Sequence, residues 1–177
     1  MSAGSDRRWG WHRLEPEWAE RVVAAAHVRP GDLVLDLGAG TGALTAPLVR
    51  RGARVVAVEL HAGRADRLRA RFAGLPVRVV CADLLAFKLP DRVFRVVANP
   101  PYALTTPLLR MLLAPGSRLR AADLILQRAV VSHWVASDRR SVPRRGGWDA
   151  EMGMRLPRRA FSPRPPVDSA VLVLRRR

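Results

Sequence analysis

The residues best equipped for chemistry stand together at Asn99-Pro100-Pro101-Tyr102, directly after an apolar run. That position is the tip of a strand. An exocyclic amine on an aromatic base is a poor nucleophile, because its lone pair is delocalised into the ring. Two acceptors aimed at its hydrogens draw it towards tetrahedral geometry. The side-chain oxygen of Asn99 is suited to be one acceptor, and the carbonyl of Pro100 the other. The prolines stiffen the loop, so both acceptors are set before a substrate arrives. Tyr102 offers a face on which a base can stack. The nitrogen becomes acidic as it is alkylated, so no strong general base is required and positioning supplies most of the rate. Taken alone, the tetrapeptide could also be a proline-rich turn.

A second set of residues lies upstream. Asp36-Leu37-Gly38-Ala39-Gly40-Thr41-Gly42 links an apolar run to a helical stretch. Its glycines let the backbone turn tightly and approach a ligand. The spacing is G-x-G-x-G rather than the G-x-G-x-x-G of dinucleotide sites. With an acid just before the first glycine, it fits a nucleoside-methionine cofactor with no pyrophosphate to cradle. The next run ends in Glu59, where an acid can take both ribose hydroxyls through charge-assisted bonds. The run after that leads into Ala82-Asp83-Leu84, where Asp83 can accept adenine amino hydrogens and Leu84 can cover the ring. Ordinary helix-capping acids are the alternative for these positions.

These residues must be carried by elements that end at one edge. Buried-strand candidates are 33–37, 54–59, 77–81, 93–98, 122–126 and 169–174, with 152–156 a weaker one. Helical candidates fall between them at 17–27, 43–51, 63–72, 106–113 and 127–137. Pro47 is tolerable in the second only near its first turn. Repeated β-α-β units predict an α/β fold with an open, doubly wound, mostly parallel sheet of seven strands and helices on both faces. Its ligands belong at the carboxyl ends of the strands. Residues 137–149 (SDRRSVPRRGGWD) read as a basic loop, either contacting RNA or merely solvated.

Composition narrows the partner. The 177 residues suit one domain, and 49 % are apolar, enough for a core. Cysteine occurs once, at Cys81, and the four histidines follow no metal spacing, so neither a disulfide framework nor a metal site is expected. Residues 1–14 lack the apolar stretch of a signal peptide, and no run is long enough to span a membrane. The expectation is a cytoplasmic protein with no membrane association. Lys+Arg number 31 against 15 Asp+Glu, a formal charge of +16, and Lys88 is the one lysine. A GC-rich genome accounts for arginine over lysine but not for the excess of bases over acids. Such a domain points to a polyanion, most often nucleic acid.

Together these motifs resemble the rRNA adenine N6-methyltransferase family, which contains the Erm macrolide-resistance enzymes and the housekeeping adenine dimethylases of the small subunit. The matching segments are 10–14, 35–45, Val58-Glu59, Ala82-Asp83, 99–102, Leu126-Gln127 and 161–169. The last meets all five letters of F-x-P-x-P-x-V-x-S. The resemblance implies a Rossmann-like class I methyltransferase fold with S-adenosylmethionine as cofactor. It implies cofactor contacts at His12, Leu14, Gly38, Gly40, Glu59, Leu60, Asp83, Leu84 and Asn99. It implies that Asn99, Pro100 and Tyr102 hold the adenine with Phe161 on its opposite face. The expected substrate is 23S rRNA, with macrolide–lincosamide–streptogramin B resistance as the consequence.

Two departures stand out. The Gln and Phe of the family's N-terminal signature are replaced in Trp11-His12-Arg13-Leu14. Family members usually carry a smaller C-terminal helical domain. The expectation here is a short, monomeric form, with 1–30 as arm and first helix, 1–177 as a single catalytic domain and no helical domain after it. Asn-Pro-Pro-Tyr also serves DNA adenine methylases and enzymes that methylate protein glutamine, although 161–169 argues against both. A small-subunit dimethylase-like enzyme and a catalytically dead RNA-binding module remain alternatives.

Overall fold

In the computed structural model, which describes residues 12–137 and 147–177, the apolar runs are strands and the stretches between them are helices. The strands are β1 (Arg13–Leu14), β2 (Leu33–Leu37), β3 (Arg54–Glu59), β4 (Val77–Cys81), β5 (Phe94–Ala98), β6 (Leu119–Gln127), β7 (Trp148–Leu156), β8 (Phe161–Ser162) and β9 (Ser169–Arg176). The helices are α1 (Pro16–Ala25), α2 (Thr45–Arg50), α3 (Ala62–Arg71), α4 (Thr105–Leu112) and α5 (Arg128–Ser137).

Seven strands make one sheet in the order β4-β3-β2-β5-β6-β9-β7. The first five run parallel, and β9 is antiparallel to both of its neighbours. The doubly wound, mostly parallel α/β architecture anticipated from the β-α-β pattern is therefore present. The chain leaves β2 towards β3 and β4, then returns to place β5 and β6 on the other side. The crevice between the ends of β2 and β5 is the topological switch point of the sheet, where such folds bind ligands.

Every residue of β2 is buried, because helices cover both faces. This explains its reading as LVLDL without polar alternation. Its side chains still alternate between two cores. Leu33, Leu35 and Leu37 join Phe94, Leu108 and Leu124 on one face. Val34 joins Trp18, Val22, Val97 and Ile125 on the other.

Several boundaries differ from the expected ones for identifiable reasons. Helix α1 starts at Pro16, since the amide a proline lacks would be unpaired at that position anyway. In α2 Pro47 falls in the first turn, as it must. Strand β6 begins at Leu119 rather than 122. Strand β7 begins at Trp148 rather than 152: as the edge strand it exposes one face, so its sequence is too polar to announce itself. Its irregularity lies between Met152 and Arg155, where a Cβ on Gly153 would come within 2.8 Å of Val173. Strands β1 and β8 pair with each other and were not anticipated; two residues are too few to carry a pattern. The basic segment expected to be a loop over 137–149 is corrected at its end, since Trp148 and Asp149 already belong to β7; residues 138–146 lie outside the described residues. Among the described residues no helix is long and apolar enough to cross a membrane.

Candidate active site

The glycine turn after β2 is bound to the end of β3. Gly38 and Ala39 both donate to the Val58 carbonyl, at 2.9 and 3.0 Å. Gly38 has φ +82°, and a Cβ there would lie 3.4 Å from Pro101 and 3.5 Å from Pro100. The turn thus packs directly against the Asn-Pro-Pro loop, and the left-handed backbone at Gly38 is what calls for a glycine. Two motifs far apart in sequence become adjacent walls of the switch-point crevice.

Glu59 closes the crevice on the β3 side, with its side chain 5 % exposed. One carboxylate oxygen accepts the Gly40 amide at 2.9 Å. The other accepts the His61 amide at 2.9 Å and Arg64 Nε at 3.1 Å. Three of its four acceptor positions are therefore engaged. To receive both hydroxyls of a ribose, the carboxylate must give up one of these bonds, and Arg64 is the only side chain among the three. Asp83 is exposed, with Oδ1 accepting the Leu85 amide at 2.8 Å, which leaves Oδ2 towards solvent. Leu60 is 50 % exposed beside it, whereas Leu84 is 4 % exposed and packs in the core. The expectation that Leu84 covers a ring is corrected accordingly. Leu60 is the open apolar side chain at this edge.

Asp36 lies beneath the turn, and its carboxylate accepts the Thr45 hydroxyl at 2.6 Å. Burial pushes its pKa up from 3.8 to about 7, and the nearby Glu59 charge adds to the rise, while the Thr45 hydrogen bond opposes it.

At the tip of β5, Asn99 Nδ2 donates to the His12 carbonyl at 2.9 Å. This fixes the amide and leaves Oδ1 as the acceptor that can face the crevice. His12 is in turn held by its Nδ1–H, which donates to the Pro163 carbonyl at 2.9 Å. Tyr102 is half-buried and shares a 2.7 Å hydrogen bond with the buried Ser169 hydroxyl. Burial raises its pKa, and the Ser169 bond partly offsets this. The ring beside Tyr102 belongs to His12, 6.0 Å between centroids and 30° between planes.

Phe161 is placed elsewhere than expected. It pairs with Leu14 across β1 and β8, is 2 % exposed, and packs in the core with Leu14 and Trp18. A ring so enclosed has no free face for a base. Leu14 is equally buried and serves the same core, although it also lines a small cavity with His12, Asp36, Gly38, Thr41 and Asn99. That cavity encloses about 20 Å³, and beyond it the strand ends at Leu60 and Asp83 are open.

Of the predicted site residues, Gly38, Gly40, Glu59, Asn99, Pro100, Tyr102 and His12 meet at one crevice, with Asp83 and Leu60 on its open edge. Sequence reasoning missed Thr45, Arg64 and Ser169, the partners of Asp36, Glu59 and Tyr102. Nothing in their types sets them apart. Ser169 ends the F-x-P-x-P-x-V-x-S motif, the one signal that could have found it.

The donor set fits a nucleoside cofactor: a turn with glycines at 38, 40 and 42, a buried carboxylate at the second strand tip, an exposed one at the third, and an open leucine between.

Comparison with known proteins bears on the whole chain. Residues 14–177 match the model of the ribosomal RNA adenine dimethylase family. A relative named ribosomal RNA small subunit methyltransferase A, from Thermosynechococcus vestitus, is 38 % identical over 96 % of this chain and 69 % of its own length. A relative named rRNA methyltransferase, from Streptomyces thermotolerans, is also 38 % identical, over 93 % of this chain and 56 % of its own. The crystal structure of the 23S rRNA methyltransferase ErmE superposes with a TM-score of 0.83 and 30 % identity, covering 94 % of this chain and 70 % of that one. The chain thus spans 56–69 % of the length of these two curated relatives. Its fold is the Rossmann-like methyltransferase fold, whose methyl donor in this family is S-adenosylmethionine. The chain belongs to the ribosomal RNA adenine dimethylase family.

Proposed function

We propose that this protein methylates N6 of an adenine in ribosomal RNA, and that the RNA is 23S, with macrolide–lincosamide–streptogramin B resistance as the outcome. The observation that carries the chemistry is the Asn99 amide. Its nitrogen is spent on the His12 carbonyl, so its oxygen is the acceptor left for a substrate amine, beside a glycine turn that a cofactor can approach.

S-adenosylmethionine, when bound, supplies a methyl carbon made electrophilic by a positively charged sulfur. Gly38 and Gly40 shape the floor beneath it. Glu59 holds the ribose, Asp83 accepts from the adenine amino group, and Leu60 lies against that ring. The target adenine, flipped from its RNA strand, stacks on Tyr102. Asn99 Oδ1 accepts one N6 hydrogen and the Pro100 carbonyl the other. These contacts strip the lone pair of its delocalisation and aim it. The two carbonyl-type oxygens orient N6 but are too weakly basic to keep a proton, so the proton shed by N6 passes to solvent water at the open edge of the crevice. The His12 ring lies on the Tyr102 side of the crevice, 6.0 Å from that ring between centroids.

Labelled methyl transfer to 23S and 16S rRNA tests this reading. Asn99→Ala should lower kcat by about 10²–10³-fold, the usual effect of removing one preorganised polar group, while loss of the His12 hydrogen bond lowers unfolding free energy by only about 0.5–1.5 kcal/mol. Label in neither RNA would refute it. The likeness to ErmE supports the large-subunit substrate. A second reading, 16S rRNA as substrate, is favoured by relatives named small subunit methyltransferase. Mass spectrometry of rRNA from cells with and without the gene separates the two.

A further inference from the structure

A second cleft opens beside the Tyr102–Ser169 pair. Its volume is about 590 Å³, within the roughly 300–1,000 Å³ typical of ligand sites. Arg128, Arg155 and Arg158 line it with Pro166, Val167 and Asp168. All three arginines are exposed. The position follows from strand register. Gln127, the residue before Arg128, pairs with Ser169, and Arg155 pairs with Ala170. The cleft therefore begins next to the serine that holds the Tyr102 hydroxyl.

Its lining is net positive. Among the described residues Asp168 is the one carboxylate there, against three arginines. It acts as scaffold: Oδ1 accepts the Arg158 amide at 3.2 Å, and its carbonyl accepts the Arg128 amide at 3.0 Å. Arg158 Nε donates to the Pro165 carbonyl at 2.8 Å, which orients that guanidinium. Among the described residues, neither Arg128 nor Arg155 has a carboxylate partner. Three guanidiniums converging on a cleft with an apolar wall suit phosphate oxygens on one side and a sugar or base on the other. A solvated face of a basic protein would not need to be concave, nor to adjoin the substrate tyrosine.

We infer that this cleft holds the sugar-phosphate of a nucleotide adjacent to the target adenine, with Arg128 and Arg155 on its phosphates. The inference rests on the reading that the substrate is RNA. Holding the neighbouring phosphate fixes the strand while the adenine is swung out, so the cleft acts on the RNA and not on the cofactor.

The test uses the full chain and a labelled RNA hairpin with an unpaired adenine in its loop, read by fluorescence anisotropy between about 50 and 200 mM KCl, the range over which phosphate binding weakens steeply. The Arg128→Gln/Arg155→Gln double variant should bind about 10–100-fold more weakly at the middle of that range. Its slope of log affinity against log salt should flatten by about 0.7 for each phosphate that is no longer neutralised, as expected for single strands. Calorimetric affinity for S-adenosylmethionine should be unchanged. A control double variant at a site remote from the cleft, Arg92→Gln/Arg118→Gln, should alter neither. Methylphosphonate placed at each linkage flanking the adenine in turn should weaken wild-type binding at one linkage, and the double variant should be indifferent to it. Equal weakening in the two double variants, or wild-type binding insensitive to every flanking linkage, would overturn the inference. Binding that depends on the cleft without methyl transfer would sink the enzymatic reading and leave this one standing. Transfer that ignores Arg128 and Arg155 would do the reverse. The methylphosphonate series on wild-type protein keeps the test decisive even if the double variant fails to fold.

Discussion

Replacing Asp36 with asparagine should change how stability depends on pH, and the size of the change can be worked out. The carboxyl is 1 % exposed, and its pKa lies at about 7 against an ordinary 3.8. Between those values the native state holds a proton that the unfolded chain has released. Stability therefore falls as pH rises across this window. The contribution is fully present below about pH 3.8 and lost above about pH 7. At about 1.4 kcal/mol per pH unit, the fall is about 4 kcal/mol. Asparagine resembles the neutral carboxyl and keeps an oxygen for the Thr45 hydroxyl, but it does not titrate. Urea unfolding of both proteins between about pH 4 and pH 8 isolates the effect, because all other groups cancel in the difference. Asp36→Asn should gain on the wild type by about 4 kcal/mol across the series, nearly all of it below about pH 7. A difference that stays flat, or that moves the other way, would refute the idea of a neutral buried carboxyl under the glycine turn.

Three further outcomes follow from the geometry. Gly42→Ala forces a side chain into φ +85° and puts Cβ 2.7 Å from the Phe72 ring; left-handed strain and overpacking together should cost about 2–4 kcal/mol, visible as a lower calorimetric Tm. Glu59→Gln should weaken binding of S-adenosylmethionine by about 10–100-fold, since hydrogen bonds to a charged group are worth about 1.5–3 kcal/mol; isothermal titration reads this directly. Tyr102→Phe removes the bond to Ser169 but keeps the ring, so unfolding free energy should drop by about 0.5–1.5 kcal/mol while kcat for methyl transfer stays close to wild type.

The parallel half of the fold was legible because burial on both faces demands continuous apolar runs, and β2, β3 and β4 have the limits expected of them. The antiparallel half was less so. Strand β7 has one exposed face and an irregular register, so residues such as Glu151 and Arg155 obscure it. The crevice was legible where a residue type is forced: Gly38 by its backbone, Asn99 by its chemistry, Glu59 by its place at a strand tip. It was opaque where partners meet through tertiary packing alone. Nothing local to Arg64 says that it faces Glu59, and nothing near His12 says that its carbonyl meets Asn99. Phe161 shows the reverse failure. Its aromatic type suggested a stacking partner, but strand pairing with Leu14 turns it inward and leaves Ser162 outside.

The ribbon of β1 and β8 has a bearing on how the protein is made. His12 reaches Asn99 with its own carbonyl while its ring is tethered to Pro163, a bridge spanning 151 residues of chain. A polypeptide emerging from the ribosome can pair β2 through β6 and gather most of both cores around them before the far anchor of that bridge exists. The acceptor at Asn99 gains its orientation only when residues 161–163 arrive and draw the arm across. A nascent chain that has not yet reached them carries every motif of the cofactor crevice and still lacks an aimed amide, so competence waits for the segment that follows β7.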